Sequence, residues 1–98
     1  MTVKKDIKGN VMTLTPDGRL DTSTAPELEK ALNKPGPEIT LIVFDFAMVS
    51  YISSAGLRVL LTASKMMNGQ GDVKVINANK TVLEVFEVTG FDGILNIG

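Results

Sequence analysis

The stretch Val49-Ser50-Tyr51-Ile52-Ser53-Ser54-Ala55-Gly56-Leu57-Arg58 decides how the rest of the chain is read. Upstream, Ile39 to Phe46 is apolar at almost every position apart from Thr40 and Asp45, the habit of a strand covered on both faces. Downstream, Ser54 to about Asn68 has helical periodicity. Leu57, Leu60, Leu61, Ala63 and Met67 can cover a sheet, Arg58, Thr62, Lys65 and Gly69 share a polar stripe, and Ala55, Val59 and Met66 lie on the flank between them. Where a helix begins, backbone N–H groups lack intrahelical partners and the aligned peptide dipoles leave that end partly positive. A serine hydroxyl placed there can cap the helix, or it can carry an anion that the helix end favours.

Outward from this stretch, the pattern alternates between strand and helix. Val3 to Ile7 and Val11 to Thr15 flank the turn residues Lys8-Gly9-Asn10 and read as a hairpin. Pro16-Asp17-Gly18 breaks the pattern, and the strand resumes at Arg19-Leu20-Asp21. Asp21-Thr22-Ser23-Thr24-Ala25-Pro26-Glu27 reads as a helix start in which Thr24 and Glu27 fit a capping box. Leu28, Ala31 and Leu32 give that helix an apolar face, and Asn33-Lys34-Pro35-Gly36-Pro37 ends it. After Gly69-Gln70-Gly71, Asp72 to Asn77 alternates as a strand. Asn79-Lys80 then opens a last helix with Val82, Leu83, Val85 and Phe86 apolar, Thr89-Gly90 stops it, and Ile94 to Ile97 is a short final strand. The order is ββαβαβαβ, an α/β class.

Size and composition narrow the function. Residues 1–98 make one domain, 44% hydrophobic and 21% charged. No cysteine and no histidine are present, which removes disulfides, thiolate chemistry, the commonest general base and the commonest metal ligand. Ten basic against eleven acidic side chains argue against a nucleic-acid binder held by phosphate neutralisation. No apolar run reaches membrane-spanning length, and Met1 to Asp6 lacks the apolar core of a signal peptide, so the expected setting is the cytoplasm without direct membrane insertion. A nucleophilic Ser53 or Ser54 would need a base that no local motif supplies; neither a G-x-S-x-G elbow nor a phosphate loop is present. The expectation is a binding module with no catalytic residue, no metal and no cofactor.

Ser54 carries two compatible readings: a helix cap, or a phosphate acceptor whose new charge of about −2 the helix end tolerates while the surface changes from neutral to anionic. Gly56 reads either as close packing of helix against sheet or as access for another protein's backbone to Ser54. Ala55, Val59 and Met66 read either as the rim of the core or as a docking strip. Asp21 and its neighbour Thr22 matter if their loop lies beside the Ser54 loop, at the carboxyl ends of adjacent strands. Asp45, near the end of a buried strand, is expected to accept hydrogen bonds from loop N–H groups.

The segment Asp45-Phe46-Ala47-Met48-Val49-Ser50-Tyr51-Ile52-Ser53-Ser54-Ala55-Gly56-Leu57 resembles the central motif of STAS domains, the bacterial anti-sigma-factor antagonists. Gly18-Arg19-Leu20-Asp21 with Ala25-Pro26-Glu27-Leu28 resembles an earlier motif of that family, and Phe86-Glu87-Val88-Thr89-Gly90-Phe91 its closing helix and turn. The resemblance implies a STAS-like mixed sheet of four to five strands with helices packed mainly on one face. It implies that the unphosphorylated chain binds an anti-sigma factor that is also a serine-protein kinase, releasing the sigma factor. Phosphorylation at Ser54 would abolish binding, and a PP2C-type phosphatase would reset it; the chain would be a monomer when free. The family's glycine falls on Gly56 and its aspartate on Asp21; Thr22, Ser53, Ala55, Arg58, Val59 and Met66 complete the expected partner-binding set. Three positions depart from the pattern: Ser53 stands where an aspartate is frequent, which makes it a second candidate acceptor. Arg58 stands where glycine is frequent, and Arg19 where an acid is usual. The alternative is a constitutive STAS interaction subunit of a signalling scaffold or a lipid-type ABC transporter, in which Ser54 is only a cap.

Overall fold

Alternating apolar side chains build the sheet, and helical periodicity supplies its cover. The computed structural model describes residues 1–33 and 35–98; Lys34, within the expected stop of the first helix, lies outside them. The elements run β1 (Thr2–Lys8), β2 (Val11–Leu20), α1 (Ala25–Leu32), β3 (Leu41–Asp45), β4 (Val49–Ile52), α2 (Ser54–Met66), β5 (Asp72–Ile76), α3 (Lys80–Thr89) and β6 (Asn96–Ile97), with a 3-10 turn at Phe91–Gly93 before the last strand. β1 and β2 pair antiparallel, all other pairs are parallel, and the sheet order is β1-β2-β3-β5-β6 with β4 beside the far half of β2. This is the expected mixed α/β arrangement, with one more strand than the upper expectation and the order ββαββαβαβ.

The helices lie on one face of the sheet. Met12, Leu14, Ile42, Phe44, Val73 and Val75 point into the core, while Val11, Thr13, Leu41 and Val43 between them are half-buried. β3 is therefore not covered on both faces as its apolar run suggests; its flanking strands, not a second helical layer, shield its outer side chains. Phe46 meets Phe44 edge-on, with centroids 6.2 Å apart, and stacks on Phe86 at 6.5 Å, so the end of β3 is locked to α3. On α3, Val82 and Phe86 are buried and Val85 half-buried, but Leu83, expected on the same face, is 42% exposed.

Two local expectations give way to the observed chain path. Pro16-Asp17-Gly18 does not interrupt the strand before Arg19; β2 runs through it. There β2 leaves β3 and joins β4: Gly18, at φ +113°, donates its N–H to the Met48 carbonyl at 2.9 Å, and the register shifts between Gly18 and Arg19. The Thr24–Glu27 capping box does not form. Thr24 makes no side-chain cap; its hydroxyl donates to the Arg19 carbonyl at 2.6 Å and accepts the Asp21 N–H at 2.9 Å. The opening of α1 is thus tied back to the end of β2. The start of α3 is tied to β4 in the same way. Asn79 Oδ1 accepts the Val82 N–H at 2.8 Å while its Nδ2 donates to the Val49 carbonyl at 3.1 Å.

Candidate functional site

β2 and β4 run parallel with Leu20 opposite Ile52, and the Ser53 N–H donates to the Leu20 carbonyl at 2.9 Å. The loops that leave these strands are therefore side by side at their carboxyl ends. One holds Asp21, Thr22 and Ser23; the other is the Ser53-Ser54 step into α2. The condition under which the Asp21 loop bears on the Ser54 loop is met. Asp45 acts as expected: its Oδ1 accepts the Ala47 N–H and an Asn77 Nδ2–H, each at 3.1 Å, holding the turn from β3 into β4.

Asp21 organises its own loop. Its Oδ1 accepts the Ser23 hydroxyl at 2.8 Å, the Ser23 N–H at 3.0 Å and the Thr24 N–H at 3.2 Å. The Ser23 hydroxyl bond is the leading cause that holds the Asp21 carboxyl below its ordinary range; desolvation opposes it, and the backbone bonds add to it. The turn is thus supported at neutral pH, and that support fades on acidification below the ordinary aspartate range, through the lowered value.

The helix cap is Ser53, not Ser54. Ser53 has extended backbone (φ −101°, ψ 179°), and its Oγ accepts the Ala55 N–H at 3.3 Å. Ser54 is the first residue of α2; it is exposed, and among the described residues its hydroxyl makes no hydrogen bond. Ser53→Ala is expected to destabilise the domain by about 1 kcal/mol, a fall of roughly 4–8 °C in melting temperature. Ser54→Ala should stay within about 0.5 kcal/mol of the parent. Paired thermal melts check both, and equal losses at the two serines would contradict the assignment of the cap.

The other expected residues divide into those the fold gathers and those it does not. Thr22, Pro26 and Glu29 on one side and Ala55, Arg58 and Val59 on the other line a groove of about 270 Å³ between α1 and α2, beside Ser54. Val59 is only 4% exposed, so it forms the floor of this groove and not a projecting strip. Met66 is the last residue of α2, two turns past Val59, and does not line the groove. Gly56 is buried, and a Cβ there would sit 2.7 Å from both Leu20 Cγ and Ile52 Cγ1. Close packing, not access, is what its missing side chain provides.

The Arg19–Tyr51 pair carries no local signal in the sequence. These residues are opposite one another on β2 and β4, and the guanidinium carbon lies 4.6 Å from the ring centroid. Their meeting depends on β4 being a strand in that register; four residues with mixed polarity give no such signal. Among the described residues, no cluster of three or more metal-ligating side chains exists, and no helix is long and apolar enough to cross a membrane.

The family model described as "STAS domain" matches residues 2–98 of this chain. The chain is 29% identical to the anti-sigma-B factor antagonist of Bacillus subtilis over 103 residues, covering 99% of this chain and 92% of that one. It is 42% identical over 57 residues to a candidate anti-sigma factor antagonist of Bordetella bronchiseptica, a match spanning 57% of this chain but only 49% of that relative. Its fold superposes on SpoIIAA in the unphosphorylated form with a TM-score of 0.78 at 17% identity, over 99% of this chain and 88% of that one. The Bacillus SpoIIAA in the phosphorylated form gives a TM-score of 0.76 at 16% identity, over 99% of this chain and 91% of that one. At such identities the likeness to the solved structures is one of fold.

Proposed function

The chain belongs to the STAS domain family, and from that premise we propose that it is an anti-sigma-factor antagonist switched by phosphorylation of Ser54. The unphosphorylated protein binds an anti-sigma factor that is also a serine-protein kinase and so releases the sigma factor. The kinase transfers the γ-phosphoryl group of ATP to Ser54 Oγ, the hydroxyl proton departs, ADP leaves, and binding is lost. A PP2C-type phosphatase hydrolyses the ester and restores the binding form. The chain is substrate and ligand in this cycle, not catalyst.

The observation that carries the reading is the division of labour between the two serines. Ser53 Oγ is engaged as the cap, whereas Ser54 is exposed with its hydroxyl unbonded among the described residues. Phosphorylating Ser54 leaves the cap in place and puts the new charge at the partly positive end of α2.

The test is incubation with ATP and each purified serine-kinase-type anti-sigma factor of the source organism, followed by mass-spectrometric site mapping. Modification at Ser54 is expected, with the Ser54→Ala protein unmodified. A chain that binds such a kinase yet gains no phosphate at either serine would sink the switch.

A further inference from the structure

The setting of Arg19 is unusual for a surface side chain. It projects from β2 next to the inward-facing, fully buried Leu20, so it emerges on the other side of the strand. Its guanidinium lies over the Tyr51 ring at 4.6 Å, and its Nε is 3.7 Å from Asp21 Oδ2. That ion pair is loose: 3.7 Å exceeds hydrogen-bond length, and the two side chains are 63% and 33% exposed. Asp21 is also already committed, through Oδ1, to Ser23 and Thr24. Ring and carboxylate thus flank the guanidinium without taking its outer nitrogens. Among the described residues neither terminal nitrogen of Arg19 makes a hydrogen bond.

We propose that Arg19 is a preorganised anchor for a carboxylate of the partner protein, so that the partner surface meeting this end of the sheet is acidic at that point. The proposal rests on the antagonist reading above and adds the chemistry of the partner. A planar guanidinium with both outer N–H groups free matches a carboxylate in two parallel hydrogen bonds, and stacking on an aromatic ring lowers the entropy lost when they form. Arginine and tyrosine are also the residue types in which binding energy concentrates. The location fits: Tyr51 lies on the strand that leads to Ser54, and the Asp21 loop is stitched to Ser53 through Leu20.

The experiment measures affinity for each purified serine-kinase-type anti-sigma factor of the source organism, at low and high salt. The proteins compared are the parent, Arg19→Ala, Arg19→Lys and Arg19→Glu, each with its melting temperature. Against a kinase that the parent binds, Arg19→Ala is expected to lose about tenfold in affinity and Arg19→Glu more. Arg19→Lys should recover only part, since an ammonium keeps the charge but not the fork. Salt should weaken the parent complex more than the Arg19→Ala complex, and melting temperatures should agree. Replacing the partner's surface carboxylates one at a time by arginine should find one position that restores binding to Arg19→Glu. Equal affinities for the parent, Arg19→Ala and Arg19→Lys would overturn the anchor while leaving the antagonist reading intact. If no anti-sigma factor binds the parent, the antagonist reading fails and the anchor with it.

Discussion

Ser54→Asp is expected to weaken binding to the anti-sigma kinase by about a hundredfold, and phosphorylation of Ser54 by more. A hundredfold corresponds to about 3 kcal/mol, within the range set by burying a charge whose water is removed and whose counter-charge is missing. The same substitution should barely move the melting temperature. Ser54 is exposed at the first position of α2, where a carboxylate meets the positive end of the helix dipole, a gain of about 0.3–1 kcal/mol. Loss of binding with retention of stability is the signature of a surface switch. Ser54→Ala should bind like the parent, because the hydroxyl supports nothing among the described residues. Titration calorimetry with the kinase, alongside thermal melts, separates the outcomes. A Ser54→Asp protein that binds as the parent, together with a phosphorylated protein that also binds, would refute the electrostatic account. A large fall in melting temperature would instead mean that Ser54 has a structural role the hydroxyl geometry does not show.

Much of this site was legible because helix starts write themselves locally. Serine before an apolar-periodic run marks the entry to α2, as Asn79 marks the entry to α3, and both caps are present. What local pattern does not resolve is which of two adjacent serines turns inward. That depends on Ser53 being drawn to the Leu20 carbonyl by the parallel pairing of β2 with β4. The Thr24–Glu27 box failed for a related reason: a tertiary bond to the Arg19 carbonyl claims the threonine hydroxyl. The Arg19–Tyr51 contact and the groove between α1 and α2 belong to the same class. Each is a juxtaposition made by strand register or helix packing, and no single window of sequence contains both halves. The apolar run through β3 misled in the opposite sense, since neighbouring strands shield side chains nearly as well as a second layer of helices.

Gly56→Val should destabilise the domain strongly, by about 3 kcal/mol, with a fall in melting temperature of roughly 12–24 °C. In an ordinary helix, replacing glycine gains stability because glycine is a poor helix former, by about 1 kcal/mol for alanine. Here a Cβ would sit 2.7 Å from Leu20 Cγ and Ile52 Cγ1, and 3.0 Å from Leu20 Cδ2. Leu20 and Ile52 are fully buried, and the atoms approached include branch points that cannot swing aside as a chain end can. The first turn of α2 would have to lift from the paired ends of β2 and β4. Because the same pairing holds the Asp21 loop against Ser53, disturbing it should also weaken partner binding, unlike a core substitution far from the site. A double-mutant cycle isolates the cause. Leu20→Ala alone leaves a cavity and should cost about 2–5 kcal/mol. Combined with Gly56→Val it should cost clearly less than the sum, by about 1 kcal/mol or more, because the valine grows into the space the leucine vacates. Strict additivity would show that the glycine matters for some reason other than its contact with Leu20. A Gly56→Val protein as stable as the parent would show that α2 does not need the close approach at all.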